Sequence, residues 1–120
     1  MPIVKVNIRA GRSSEFKKTL LDTIHQGLVD SMGIEDWDRF QRIEEFSEED
    51  YEKPDFKSDD FMIIELTLFP GRTVEQKRAA VETITSGISQ KLGIRAEDIF
   101  ILINEPPLEN WGMGGKLKCD

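Results

Sequence analysis

Laid against itself with an offset of 60 residues, the chain matches without a gap, and this duplication limits its fold more than any other feature. Ile3 falls on Ile63, Gly11 and Arg12 on Gly71 and Arg72, Glu15 on Glu75, and Lys17 on Lys77. Further along, Thr23 and Ile24 meet Thr83 and Ile84, Gly27 meets Gly87, and Gly33 and Ile34 meet Gly93 and Ile94. Asp38 meets Asp98, Phe40 meets Phe100, and Ile43 meets Ile103. The matches fall on a turn glycine, a helix start and a helix-ending glycine, twice in the same order, so the two halves are copies of one structural unit.

Each copy reads as strand, helix, strand. Val4, Val6 and Ile8 alternate with Lys5, Asn7 and Arg9, the period of a half-buried strand, and its copy from Met62 to Phe69 is more apolar. Gly11 and Gly71 mark turns, and Ser13 and Thr73 are good N-caps, with Thr73 and Gln76 spaced as a capping box. Phe16, Leu20, Ile24, Leu28 and Met32 form one stripe, as do Ala80, Ile84, Ile88 and Leu92, so each helix has a single face to bury. Gly33 and Gly93 stand where left-handed C-terminal caps belong. Arg39 to Phe46 and Ile99 to Asn104 read as second strands. The expected fold is α+β: two tandem β-α-β repeats, with right-handed crossovers, in a four-stranded mixed sheet carrying two helices on one face. The 120 residues make one domain, with repeats at 2–46 and 61–104, an acidic connecting loop at 47–60 and a tail at 105–120 that reads as a short hairpin and edge strand. Nothing remains in the chain to cover the other sheet face, so assembly with further copies is expected.

Composition excludes several functions. Asp and Glu outnumber Lys and Arg by 23 to 16, a net charge of -7, which argues against a phosphate-tracking surface and hence against nucleic acid. No apolar run approaches the roughly 20 residues that span a bilayer, and no leader pattern opens the chain, so no membrane partner and a cytoplasmic location are expected. Cys119 is the single cysteine and suits a reducing compartment. No phosphate-binding glycine loop, serine elbow or His pair at metal spacing is present, so no metal site is expected. The lone His25 falls mid-helix and reads as a packing or surface residue.

The remaining chemistry is at the amino terminus. Pro2 follows a Met whose removal would expose a secondary amine, and α-amino groups titrate near about 7.7 to 8.0 when unperturbed. A desolvated pocket or a neighbouring Arg lowers that value and yields a neutral base near pH 7. Pro2-Ile3-Val4, followed by Gly11-Arg12-Ser13 and a second block at Gly71-Arg72-Thr73 without a second proline, resembles the tautomerase superfamily, the small amino-terminal-proline enzymes typified by 4-oxalocrotonate tautomerase. The chain looks like the fused form of that family. Asp38-Arg39-Phe40-Gln41, Pro70-Gly71-Arg72-Thr73 with Glu75-Gln76-Lys77, and Trp111-Gly112 are similar to the malonate semialdehyde decarboxylase branch.

The resemblance implies a homotrimer and a cofactor-independent reaction on a small 2-keto or enol carboxylate. Pro2 would be the catalytic amine, Arg72 the guanidinium that holds a carboxylate or carbonyl oxygen, and Asp38 the acid near the proline. Trp111 and Met113 would form an apolar pocket wall. The chain departs from the branch in having Phe69 and Pro70 just before Arg72, where relatives place a second Arg; Arg39 or Arg12 would then supply the second cation. Each of these has a structural alternative: Arg12 as a turn residue or ion pair, Arg39 as a strand ion pair, Trp111 as packing, and Asp38, matched by Asp98, as the organiser of a helix-to-strand turn. Three functions follow: an isomerase with neutral Pro2 as base, a decarboxylase or hydratase with protonated Pro2 as acid, and a non-catalytic binding protein on the same scaffold.

Overall fold

The two halves fold in step with their shared punctuation. In the computed structural model, which describes residues 1–120, the first half forms β1 (Pro2–Arg9), α1 (Ser14–Met32) and β2 (Phe40–Phe46). The second forms β3 (Met62–Leu68), α2 (Val74–Leu92) and β4 (Ile99–Asn104). The helices begin and end at equivalent positions because their caps are duplicated. Ser13 Oγ accepts from the Phe16 amide at 3.0 Å, and Thr73 and Gln76 complete a reciprocal capping box. At the other end Gly33 (φ 66°) and Gly93 (φ 69°) adopt the left-handed conformation that side chains disfavour. The salt bridges Lys17–Glu45 and Lys77–Glu105 are likewise one interaction made twice.

The sheet order is β2-β1-β3-β4, with β1 parallel to β2, β3 parallel to β4, and the two halves joined by an antiparallel β1–β3 pair. Val4, Val6 and Ile8 of β1 and Met62, Ile64, Leu66 and Leu68 of β3 point at the helices and are buried. They meet Leu20, Ile24 and Leu28 of α1 and Ala80, Ile84 and Ile88 of α2 in one apolar cluster of 17 residues drawn from both halves. The helices pack close enough to require glycine where they touch. A Cβ on Gly27 would come within 2.6 Å of Ile84 Cγ1, and one on Gly87 within 2.7 Å of Thr23 Cγ2.

The opposite sheet face is open over most of its area. Register places Ile3, Phe40, Ile63, Phe100 and Leu102 on it, and Phe40, Phe100 and Leu102 remain about half exposed, at 47%, 51% and 52%. The connecting segment, left over as a loop in the sequence, covers one end: Tyr51 donates its hydroxyl to the Phe61 carbonyl, and Tyr51 and Phe61 close a cleft over Phe46 and Ile63.

The tail differs from expectation. Residues Gly112–Met113 (β5) and Lys116–Leu117 (β6) form a hairpin, but as a separate two-stranded sheet rather than an edge strand of the main one. Pro106 and Pro107 lack amide donors and cannot continue the ladder beyond Asn104. Trp111 then anchors the hairpin: it is buried, its indole N–H donates to the Pro106 carbonyl at 3.1 Å, and its ring meets Phe69 edge-on at 4.7 Å.

Candidate active site

The topology collects one set of chain segments at a single end of the sheet. β1 starts there with Pro2, which lies opposite Leu68, the last residue of β3. Helix α1 runs back from the far end, so its carboxyl end and the Trp37–Asp38 turn arrive beside the start of β1. The Phe69–Arg72 turn leaves β3 at the same end, and β4 brings Glu105, Pro106 and the Trp111 hairpin there.

At this end Pro2 is buried in the strand, where its missing N–H costs the sheet least. The Met1 amine lies 3.3 Å from Asp38 Oδ2. Asp38 is itself buried, and its Oδ1 accepts no hydrogen bond. Its repeat partner has a different fate. Asp98 is fully buried and accepts from Arg95 Nε at 2.8 Å and from the Ser58 amide at 3.1 Å, with the Ser58 hydroxyl as a further donor. Burial alone would raise the Asp98 pKa, but Arg95 and Ser58 outweigh it and hold the carboxyl at about 2, against an ordinary 3.8. Thus the acid in the second half is saturated by Arg95 and by Ser58 of the segment entering β3, while the acid in the first half faces the residue that enters β1 with an oxygen to spare.

The duplicated arginines diverge in the same way. Arg12 is bound to Asp60 and stacks 5.0 Å above the Phe16 ring. It lies past the far end of β1, whose eight residues span about 26 Å. Within one chain, then, it is not near Pro2. Arg72 is at the Pro2 end, half-buried, and none of its nitrogens pairs with a carboxylate of the chain; Nη1 donates to the Met32 carbonyl at the end of α1, at 3.2 Å. That contact satisfies a helix-end carbonyl and fixes the guanidinium while leaving its charge uncompensated.

A cleft of about 390 Å3 opens beside Met1, lined by Ile3, Arg39, Phe40, Gln41 and Arg42. Arg39 is thus on the cleft, but its Nη2 donates to Asp22 Oδ1 at 2.7 Å. Lys18 and Arg39 together hold the Asp22 carboxyl below its usual range. Trp111 backs onto Phe69, with Lys118 Nζ 5.5 Å above the same ring, whereas Met113 is 40% exposed on the hairpin. His25 is buried with Nε2 3.4 Å from Asp36 Oδ1 and does not line the cleft. The sequence reading passed over two residues here: Arg42, which shares a strand face with Phe40, and Trp37, which is 71% exposed next to Asp38. Strand alternation would have put Arg42 beside Phe40; its lack of an acid partner is a tertiary fact.

Two family models, each described as tautomerase enzyme, match residues 38–114 and 2–52. The chain is 34% identical over 119 residues to the probable tautomerase YusQ of Bacillus subtilis, covering 95% of this chain and 94% of that protein. The chain belongs to the tautomerase family. It is accordingly an enzyme of the isomerase class. Among solved structures it is similar to FG41 malonate semialdehyde decarboxylase inhibited by 3-bromopropiolate, with 27% identity, a TM-score of 0.83, and coverage of 93% of this chain and 88% of that one. The fold is shared with the asymmetric trimer of wild-type fused 4-OT R7, with 23% identity, a TM-score of 0.87, and coverage of 98% and 96%. No helix of this tautomerase is long and apolar enough to cross a membrane.

Proposed function

We propose that this tautomerase interconverts the enol and keto forms of a small carboxylic acid with the nitrogen of Pro2 as base and acid, once Met1 has been removed. The observation that carries this reading is that Pro2 heads β1, buried, at the end of the sheet where the Arg72 guanidinium has no carboxylate partner, an arrangement that favours a neutral amine. In the reaction the neutral secondary amine accepts a proton, the charge that develops on the substrate oxygen is stabilised by the unpaired Arg72, and the resulting ammonium returns the proton to carbon. Trp111 and Met113 supply the apolar wall on the hairpin side, and Arg39 borders the cleft. The step needs no cofactor. Copies of the chain pack through the open sheet face as a homotrimer, in keeping with the trimeric fused 4-OT of the same fold.

One feature favours a second reading. The Asp38 carboxylate 3.3 Å from the terminal amine is a partner for an ammonium, which suits a protonated Pro2 acting as general acid in a decarboxylation or hydration. The amine's titration distinguishes the two: a midpoint near 7 supports the base, a midpoint above about 9 the acid. The central test combines the mass of the purified protein with turnover of phenylenolpyruvate by wild type and Pro2→Ala. Loss of one methionine from the mass and at least about 100-fold slower turnover in the variant are expected. Retained Met1 in an active enzyme, or equal turnover by the variant, removes Pro2 from the mechanism.

A further inference from the structure

The end of the sheet away from Pro2 is the second copy of the candidate site. There β3 starts at Met62, an interior residue with no free amine, beside the end of β1, where Asn7 pairs with Ile63. Arg12 stands where Arg72 stands in the other copy, and Asp98 where Asp38 stands. The correspondence extends to the aromatic residues. Tyr51 and Trp111 are also 60 positions apart, and each directly follows a single 3-10 turn, Glu48–Asp50 and Leu108–Asn110. Their amides bond back alike, Tyr51 to the Glu48 carbonyl at 3.3 Å and Trp111 to the Leu108 carbonyl at 3.2 Å. Both ends therefore hold an arginine, an acid and an aromatic residue, and only the amine is missing from one.

The two ends differ in what occupies them. Arg72 has no carboxylate partner, whereas Arg12 pairs with the Asp60 carboxylate and also donates to the Asp59 carbonyl at 3.4 Å. Two residues before Asp60, Ser58 donates to Asp98 through its amide at 3.1 Å and through its hydroxyl, which in turn accepts from the Asp60 amide at 3.1 Å. Residues 58–60 thus fill this end as one unit, with Asp60 supplying the carboxylate that a guanidinium selects. Asp98 does not oppose a second negative charge here, because Arg95 compensates it at 2.8 Å. The Arg12 and Asp60 side chains are 31% and 35% exposed, so solvent reaches the pair, and a cleft of about 460 Å3 runs beside Ser58 and Asp60.

We propose that the Arg12 end of the sheet is a second binding site for a small carboxylic acid and that Asp60 is its resident ligand, a tethered mimic that keeps the site closed to acids in solution. The ligand class is a monocarboxylate, since one cation is offered: its carboxylate takes the place of Asp60 on Arg12. A group anchored two residues away by Ser58 competes at an effective concentration that a weakly binding free acid does not match, so the site opens only when Asp60 is removed. The inference does not draw on the role of Pro2.

The test is rescue by an added acid. Asp60→Ala and the isosteric Asp60→Asn are compared with wild type by thermal unfolding in sodium benzoate, with benzamide and sodium chloride at equal concentration as controls. Access to Arg12 is read separately, from phenylglyoxal labelling and peptide mass. Both variants are expected to melt a few degrees below wild type and to regain about half of that loss or more in benzoate, but nothing in benzamide or chloride. Benzoate bound at the Arg72 end raises wild type and variants alike, so the excess gained by the variants is the quantity that counts. Labelling of Arg12 is expected to rise about 10-fold or more in the variants, as a tethered competitor is lost, and to fall again in benzoate. Adding Arg12→Ala to Asp60→Ala is expected to abolish the excess rescue. Variants that melt with wild type and leave Arg12 unlabelled overturn the proposal, because Asp60 then does not occupy the site. Benzoate that neither restores stability nor protects Arg12 overturns it too, as does rescue that chloride reproduces or that persists without Arg12.

Discussion

Asp38 and Asp98 began as the same residue in two copies of a unit, and their environments have pulled them apart. Asp98, saturated by Arg95 and Ser58, is a brace, and its depressed pKa makes a prediction with a definite sign. A carboxyl held at about 2 in the folded chain against 3.8 adds stability that is complete above about pH 4 and disappears as the pH falls through 2. Asp98→Ala should therefore cost on the order of 1 to 3 kcal/mol at neutral pH, read from urea unfolding, and flatten the acid limb of stability against pH. Asp38→Asn should act on the reaction instead. Removing the carboxylate takes away the charge that faces the amine, so kcat/KM for ketonisation is expected to change by about 10-fold or more while urea unfolding stays as in wild type. Unchanged kcat/KM, with stability lost instead, would make Asp38 a second brace.

At the scale of elements, the caps were the most legible part of the chain. Ser13, Gly33, Thr73 and Gly93 act through their own backbone and near neighbours, so local chemistry places both helices. The strands follow from alternation, because one face is buried and the other is not. What local pattern could not convey was pairing across the fold: Arg39 with Asp22, Arg12 with Asp60, and the Tyr51 strap over Phe61 join residues that lie between 10 and 48 positions apart. The same limit applies to the candidate site, where the resemblance implied Pro2, Arg72 and Asp38, but the different fates of Asp38 and Asp98, one with a spare oxygen and one saturated, came only with the fold. The tail hairpin was expected as an edge strand, and two prolines with a tryptophan anchor made it a separate ribbon. Gly27 and Gly87 matched in the repeat without revealing why; the reason is the α1–α2 contact. Gly27→Ala gains about 1 kcal/mol of helix propensity but sets a methyl 2.6 Å from Ile84 Cγ1, an overlap that costs about 1 to 3 kcal/mol. Calorimetry should show a melting temperature lower by a few degrees; an unchanged or higher value would mean that the helices separate freely.

For the whole molecule, the proposed trimer rests on the open sheet face. Phe100 and Leu102 stand about half exposed on β4, with Ile3, Phe40 and Ile63 across the same face, apolar side chains that a second copy would cover. Replacing Phe100 and Leu102 together by Glu is expected to shift sedimentation from trimer to monomer while leaving the far-ultraviolet spectrum unchanged, since neither side chain belongs to the buried cluster. A double variant that remains trimeric would place the subunit contacts elsewhere.

The clamp of Arg95 and Ser58 on Asp98 has a bearing on how such a protein can change. It steadies the far edge without drawing on Met1, Asp38 or Arg72, so the brace and the candidate site occupy opposite ends of the sheet. Libraries that vary the near edge alone should therefore yield a high proportion of soluble, well-folded catalysts with altered preference, whereas equal diversity at the clamp should yield mostly aggregates.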